Sequence, residues 1–298
     1  MSRALITGAT GFIGTALIKY LESFSTPTAN ELVLLSSRRN DNYETIIYHP
    51  ETFLIPPIPN INFVIHLGAF TPKSTTDADN IVHCFSNILF TKELLDRLPK
   101  KFDRFVYAST IDVYKNSNEI IDEKSLTEPP TLYGWSKLFC EKMITAWCAQ
   151  HNVSLVILRI GHVYGPGEDA YKKLIPETIK KIINGNEPLV FSKGTEKRSF
   201  IHVADCARCI WDACFVDYDE KIINLVSGKN KSILEIIQLL IKISGKNISP
   251  HILGENEMKY DRIFDNQLMK RTFGEEKIEL VDGLKEEYLY FLNKMKKF

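Results

Sequence analysis

Tyr133-Gly134-Trp135-Ser136-Lys137 sets a phenol and an ammonium four residues apart. That is about one helical turn, so both side chains face the same way. An ammonium near a phenol favours the phenolate and lowers a pKa that is about 10 when unperturbed. A tyrosine tuned like this passes a proton to or from a carbinol oxygen near neutral pH. The Y-x-x-x-K spacing is common, and a plain surface pair accounts for it when it stands alone. Here Ser109-Thr110 ends an apolar run upstream and a glycine-rich turn lies near residue 1, which together favour catalysis.

That turn is Gly8-Ala9-Thr10-Gly11-Phe12-Ile13-Gly14. Glycine is needed where a chain turns tightly, where backbone nears a pyrophosphate, and where helix meets sheet. A helix opening there offers free N–H groups and the positive end of its dipole. A flexible loop is the plain alternative, but the position between an apolar run and an amphipathic stretch points to a dinucleotide. Beyond the second apolar run the chain reads Ser36-Ser37-Arg38-Arg39, where a carboxylate for the adenine ribose would stand. Two guanidiniums in its place could bind a 2′-phosphate. NADP(H) is therefore favoured, NAD(H) is the alternative, and solvated surface arginines are the plain explanation.

The elements that must position these groups are legible in outline. Ala4-Leu5-Ile6-Thr7, Leu32-Val33-Leu34-Leu35, Phe63-Val64-Ile65, Phe105-Val106-Tyr107 and Leu155-Val156-Ile157-Leu158 are compact, almost wholly apolar runs. Such runs suit strands covered on both faces. Helical stretches over 81–98 and 133–150 lie between them. Strand and helix in alternation predict an α/β fold with a doubly wound parallel sheet. After Gly161 the rhythm changes: a helix over 174–184, a polar loop over 193–198, and a further strand over 222–226. Ser232-Ile233-Leu234-Glu235 has capping-box spacing and opens a helix through Ile243. An amphipathic, Lys-rich closing helix is expected over 282–298.

Composition narrows the class. The 298 residues carry 37 basic and 37 acidic side chains and are 44% hydrophobic. This rules out a disordered chain and removes the bulk electrostatic case for nucleic-acid or acidic-membrane binding. A chain this long buries roughly 75% of the surface that its unfolded form exposes, so no disulfide or metal is required. Six cysteines suggest a reducing compartment. Cys206 and Cys209 form a C-x-x-C with no second pair to complete a zinc site, and helical spacing on a buried face explains them better. No apolar run approaches the roughly 18 residues of a membrane span. A glycine-rich turn follows Arg3 where a signal peptide would be apolar. A cytoplasmic enzyme is the expectation.

Taken in order, the motifs resemble the extended short-chain dehydrogenase/reductases that act on nucleotide sugars. The resemblance is carried by Thr7 to Gly14, His66-Leu67-Gly68-Ala69, Ala108-Ser109-Thr110 with Val113-Tyr114, and Tyr133 with Lys137. It continues in Leu158-Arg159, Val163-Tyr164-Gly165-Pro166-Gly167, Arg198 with Phe200-Ile201-His202-Val203, and Gly283-Leu284-Lys285-Glu286 with Tyr288. It implies a Rossmann domain over residues 1–160 and about 203–228. A smaller interleaved α/β lobe for the nucleotide sugar would take about 161–202 and 229–298. By the same resemblance Tyr133 is the general acid/base, and Lys137 lowers its pKa and holds the nicotinamide ribose. Thr110 bonds the reacting oxygen, Arg198 grips the substrate's phosphates, and Arg262 is a second such arginine or a plain rim residue. Gly8, Thr10, Gly11, Phe12, Ile13, Gly14, Ser36, Arg38, Arg39, Leu67, Gly68, Ala69 and Ala108 would complete the cofactor site. Relatives dimerise through two long helices, which makes Ile144 and Trp147 interface candidates, with core burial an equal explanation.

Departures from the family pattern separate the chemistries. Dehydratases carry Asp-Glu directly after the threonine; Ile111 and Asp112 stand there, and Ile111 cannot donate a proton, so dehydration is discounted. His162 replaces a common asparagine; substrate contact is favoured, with a titrating group or plain packing as the alternatives. Ser199 stands where Asp is frequent, and residues 41–60 lack the usual Asp followed by an aliphatic residue at the adenine. The favoured expectation is NADPH-dependent reduction of the 4-keto group of a nucleotide-linked 6-deoxyhexose, of dTDP-4-keto-6-deoxyglucose type, for surface polysaccharide. The alternative is a 4-epimerase that uses the same residues with tightly bound NAD. A non-catalytic redox-sensing scaffold would not need the Tyr133–Lys137 pair.

Overall fold

The computed structural model describes residues 3–24, 31–218, 220–254 and 260–296. The apolar runs become the centre of a seven-stranded sheet. Its strands are β1 (Ala4–Thr7), β2 (Leu32–Ser36), β3 (Glu44–Ile47), β4 (Phe63–His66), β5 (Arg104–Thr110), β6 (Ser154–Ile160) and a late strand, Ile222–Leu225. All neighbours pair in parallel. The order is 3-2-1-4-5-6 with the late strand outermost beside β6, so the direction of winding reverses between β1 and β4. Every residue of β1, β2 and β4 is buried, as runs without polar alternation require.

Helices cover both faces. On one lies α1 (Phe12–Glu22); on the other lie α2 (Ile81–Arg97) and α3 (Leu132–His151). Asn80 caps α2 by accepting from the His83 N–H, and Thr131 caps α3 by accepting from the Gly134 N–H at 3.2 Å. The second cap starts α3 so that Tyr133 falls in its first turn. Cys206 and Cys209 are buried on the helix Val203–Asp212, which packs beside α1.

The remaining chain builds a smaller lobe from β7 (His162–Tyr164), α4 (Leu174–Ile183), β8 (Leu189–Val190) and β9 (Lys197–His202), followed later by further short strands and helices. A helix over Ile233–Ser244 carries the capping box read from Ser232 and Glu235. The closing helix spans Leu280–Met295, and residues 297 and 298 of the expected tail lie outside the described residues. Tyr164, Ile179, Ile236, Leu240 and Leu284 form this lobe's own core. Met269 and Phe273 pack instead with the sheet residues, so the chain passes between the two cores more than once.

Of the two interface candidates, Ile144 is fully buried in the core, which makes core burial its explanation. Trp147 is partly buried at the edge of that core and stacks on Phe102 with ring centroids 5.9 Å apart. The exposed apolar faces are Ile81, Val82 and Phe85 on α2 and Trp135 and Phe139 on α3.

A buried ion pair ties α3 to the strand ends. Arg159 on β6 donates through Nε and Nη2 to Glu141 at 3.1 and 2.8 Å, and both side chains are 3% exposed. The Ser109 hydroxyl donates to the same carboxylate. Arg159→Met leaves that carboxylate buried without its cation and is expected to cost about 3–5 kcal/mol, read as a lower urea midpoint. On the closing helix, burial, helped by the charge of Glu168, pushes Glu287 from 4.5 up to about 9. The native state then keeps a proton that the unfolded chain has lost. Its contribution is complete below pH 4.5 and disappears as pH rises towards 9. Glu287→Gln should therefore raise the melting temperature more at pH 8 than at pH 5.

Candidate active site

The C-terminal ends of β1, β2, β4, β5 and β6 open into a cavity of about 1030 Å³. It lies where the winding reverses, the position at which open parallel sheets take ligands. Gly8, Thr10, Gly11, Phe12, Ile13 and Gly14 line one side, with Leu67, Gly68, Ala69 and Ala108 below. A Cβ on Gly14 would stand 2.1 Å from the Gly8 carbonyl oxygen, so the turn closes only with glycine there. Gly11 precedes α1 with no side-chain cap on its first turn, which leaves N–H groups to face an anion. This cradle fits a dinucleotide pyrophosphate. Thr7 Oγ1 fixes its floor, accepting the Gly68 N–H at 2.8 Å and meeting His66 Nδ1 at 2.7 Å. Burial holds His66 neutral, with its pKa down at about 3.

At the other end of the cradle Ser36, Ser37, Tyr48, Pro50 and Phe53 line the cavity. Arg38 and Arg39 are exposed and lie outside the lining. The chain leaves the sheet after Ser36, which places both arginines at the rim beyond the cavity lining. Sequence reasoning missed the apolar trio Tyr48, Pro50 and Phe53, since it searched that stretch for an acidic residue.

The reactive groups meet where β5 ends. Thr110, Tyr133 and Lys137 are all buried and all line the cavity. Gly134 allows the approach of α3, because a Cβ there would be 2.3 Å from the Asp112 carbonyl oxygen. Lys137 Nζ donates to the Ala108 carbonyl at 2.7 Å, and burial lowers its pKa to about 8. The direction expected for Tyr133 is also corrected. Burial, and then the negative charge of Asp112, hold its phenol above the usual range, while hydrogen bonds with Thr71 and Thr110 pull the other way. Thr71 follows the His66 to Ala69 motif, and only its proximity to that motif could have signalled it.

His162, Arg198 and Arg262 also line the cavity. Burial and the Arg262 charge hold His162 neutral with its pKa down at about 3, and its Nε2 is buried without a hydrogen-bond partner among the described residues. Arg198 Nη1 donates to the carbonyls of Lys197 and Tyr260, both at 2.7 Å. Arg262 turns its guanidinium to Asp112 at 2.7 Å.

A segment over 165–173 forms a strap across the cavity. Gly167 and Tyr171 lie against the Phe12 ring, and the Lys172 N–H donates to the Lys73 carbonyl on the opposite wall at 2.9 Å. Within it, burial raises Glu168 to about 7 despite Lys173 at 3.3 Å. The charge-dense run after Gly165-Pro166-Gly167 was the available signal for this strap.

Comparison with known proteins agrees with this geometry. The family model described as NAD dependent epimerase/dehydratase family matches residues 4–225. An uncharacterised UDP-glucose epimerase of Bacillus subtilis is 25% identical over 97% of both chains. A UDP-N-acetyl-α-D-glucosaminuronate decarboxylase of Bacillus cytotoxicus is 28% identical over 79% of this chain and 78% of its own. Among solved structures, UDP-glucuronic acid 4-epimerase from Bacillus cereus in complex with NAD superposes with a TM-score of 0.82. It is 25% identical over 98% of this chain and 99% of that one. Gly14→Ala should abolish dinucleotide binding while leaving the far-ultraviolet circular dichroism of the fold; calorimetric titration with NAD checks it.

Proposed function

We propose that this chain, which belongs to the NAD dependent epimerase/dehydratase family, is a nucleotide-sugar 4-epimerase that retains NAD through the catalytic cycle. The strap carries this reading. Its backbone bond from Lys172 to Lys73 joins two walls of the cavity, and a cofactor bound beneath it would be partly covered by that segment. An enzyme that returns its cofactor to the starting state each cycle has no need of cofactor exchange, whereas a net reductase does. The family description and the NAD-bound 4-epimerase structure support NAD as the cofactor. The UDP-glucose epimerase relative and the UDP-glucuronic acid 4-epimerase structure support the same reading.

When bound, NAD accepts the C4 hydride and gives it back, and its cationic ring favours a nearby phenolate. Tyr133 takes the C4 hydroxyl proton as the hydride leaves and returns it as the hydride comes back, so no proton or electron is lost overall. Thr110 holds the C4 oxygen by a hydrogen bond. Lys137, fixed on the Ala108 carbonyl, keeps a cation beside the ribose and the phenol. Arg198 attracts the diphosphate and His162 offers its neutral ring to the sugar. Inversion follows when the 4-keto sugar presents its other face before hydride returns.

In this proposal residues 1–160 with 203–228 hold the cofactor, and residues 161–202 with 229–298 hold the sugar nucleotide. The apolar faces of α2 and α3 pair with those of a second copy to form a dimer. No described helix is long and apolar enough to cross a membrane, and a cytoplasmic location is part of the proposal.

Turnover of UDP-glucose or UDP-glucuronic acid without added cofactor is the test, with nicotinamide released on denaturation. Tyr133→Phe should lower kcat by about 10²–10⁴-fold and leave the bound nicotinamide content unchanged. Stoichiometric NADPH loss on a 4-keto sugar, with no cofactor-free turnover, would replace the epimerase by a reductase.

A further inference from the structure

Asp112 takes no part in the transfers just described, yet it stands beside both groups that carry them. The Thr110 hydroxyl donates to Asp112 Oδ2 at 3.3 Å and accepts the Asp112 N–H at 3.2 Å. On the other side Arg262 Nη1 donates to Asp112 Oδ1 at 2.7 Å, and Nη2 donates to the Ile111 carbonyl at 2.9 Å. The fork thus clamps the 3-10 turn Ile111–Val113, which leaves β5 directly after Thr110. A guanidinium engaged through both Nη groups is an anchor for the turn. Gly134 brings the first turn of α3 against the Asp112 backbone, and Asp112 and Tyr133 both line the cavity.

We infer that Asp112 is a positioning residue for the proposed epimerisation: its carboxylate orients the Thr110 hydroxyl and sets a negative charge beside the Tyr133 phenol, and Arg262 serves as its anchor rather than as a phosphate ligand. The inference rests on the epimerase reading for its chemistry and on this geometry for its residues. The groups that face Tyr133 are Asp112 from the 3-10 turn, Tyr171 from the strap, and the hydroxyls of Thr71 and Thr110. Lys137 lies one turn along the same helix with Nζ on the Ala108 carbonyl. Asp112 itself is faced by Arg262 and by neutral His162. A negative charge stabilises the neutral phenol, so it lowers the share of phenolate at a given pH, assists proton uptake by the phenolate that forms in the oxidising half, and opposes proton return in the reducing half. Arg262 moderates this charge without removing it.

Asp112→Asn keeps the size and removes the charge. The tyrosinate absorbance of cofactor-loaded protein, minus that of Tyr133→Phe, gives the Tyr133 titration without any substrate. In the Asp112→Asn background its midpoint should fall by roughly one pH unit, about a tenfold gain in phenolate at fixed pH. The acidic limb of kcat should move by the same amount, with KM for the sugar nucleotide held within roughly twofold. An unmoved midpoint with reduced kcat would mark Asp112 as merely structural and overturn the inference. A raised KM with kcat unchanged would make it a sugar ligand and overturn it equally. Arg262→Gln should leave UDP affinity within roughly twofold, and a tenfold loss would return Arg262 to the phosphates. A moved midpoint in a protein that does not epimerise would sink the function proposed for the chain while leaving the Asp112–Tyr133 coupling in place.

Discussion

The geometry of the site depends on one buried ion pair. Glu141 sits one helical turn beyond Lys137, and Arg159 lies directly across from Ser109 in the β5–β6 register. The pair locks the rotation and height of α3 against the strand that ends in Thr110. Tyr133 and Lys137 come from the helix and Thr110 from the strand, so their relative placement is the placement of those two elements. A buried pair of this kind is weak evidence for net stability, since apolar residues of similar volume can do as well. Its value lies in direction: two donors from Arg159 and one from Ser109 meet a single carboxylate, and that geometry admits one register.

Around this pair the other constraints fall into series. The Thr131 cap fixes where α3 begins, Gly134 lets it approach the turn after β5, and the Arg262 clamp holds that turn from the second lobe. The phenol is thus located by contacts from three parts of the chain far apart in sequence. The cradle is simpler, because its shape is set by neighbouring residues and by Thr7 bonding across to Gly68.

That difference explains what could be read in the sequence. The strands were legible because burial on both faces demands unbroken apolar runs, and the cradle because backbone closure demands glycine at fixed spacing. The Tyr133 and Lys137 pair was legible from helical period, as was the capping box at Ser232. The placement of Arg38 and Arg39 beyond the cavity lining was not, since it follows from the path of the chain after Ser36 and not from residue type. Trp147 and Trp135 differ in which side of α3 they occupy, which the weakly amphipathic sequence of that helix does not reveal. The raised state of Tyr133 also escaped: the spacing shows the nearby ammonium but not that Ala108 holds it or that Asp112 opposes it. Long-range pairs such as Arg262 with Asp112 leave no local pattern.

The strap between the Lys172 amide and the Lys73 carbonyl has a consequence for bookkeeping over many turnovers. In the proposed epimerase, a cofactor covered by this segment would exchange slowly with the nicotinamide outside. Should a 4-keto sugar then escape before hydride returns, that copy of the protein would be left in its reduced form. It would regain activity when the strap parts or when another keto sugar enters. Fidelity in holding the intermediate is then a condition for remaining active, and the working life of each copy is counted in turnovers between escapes.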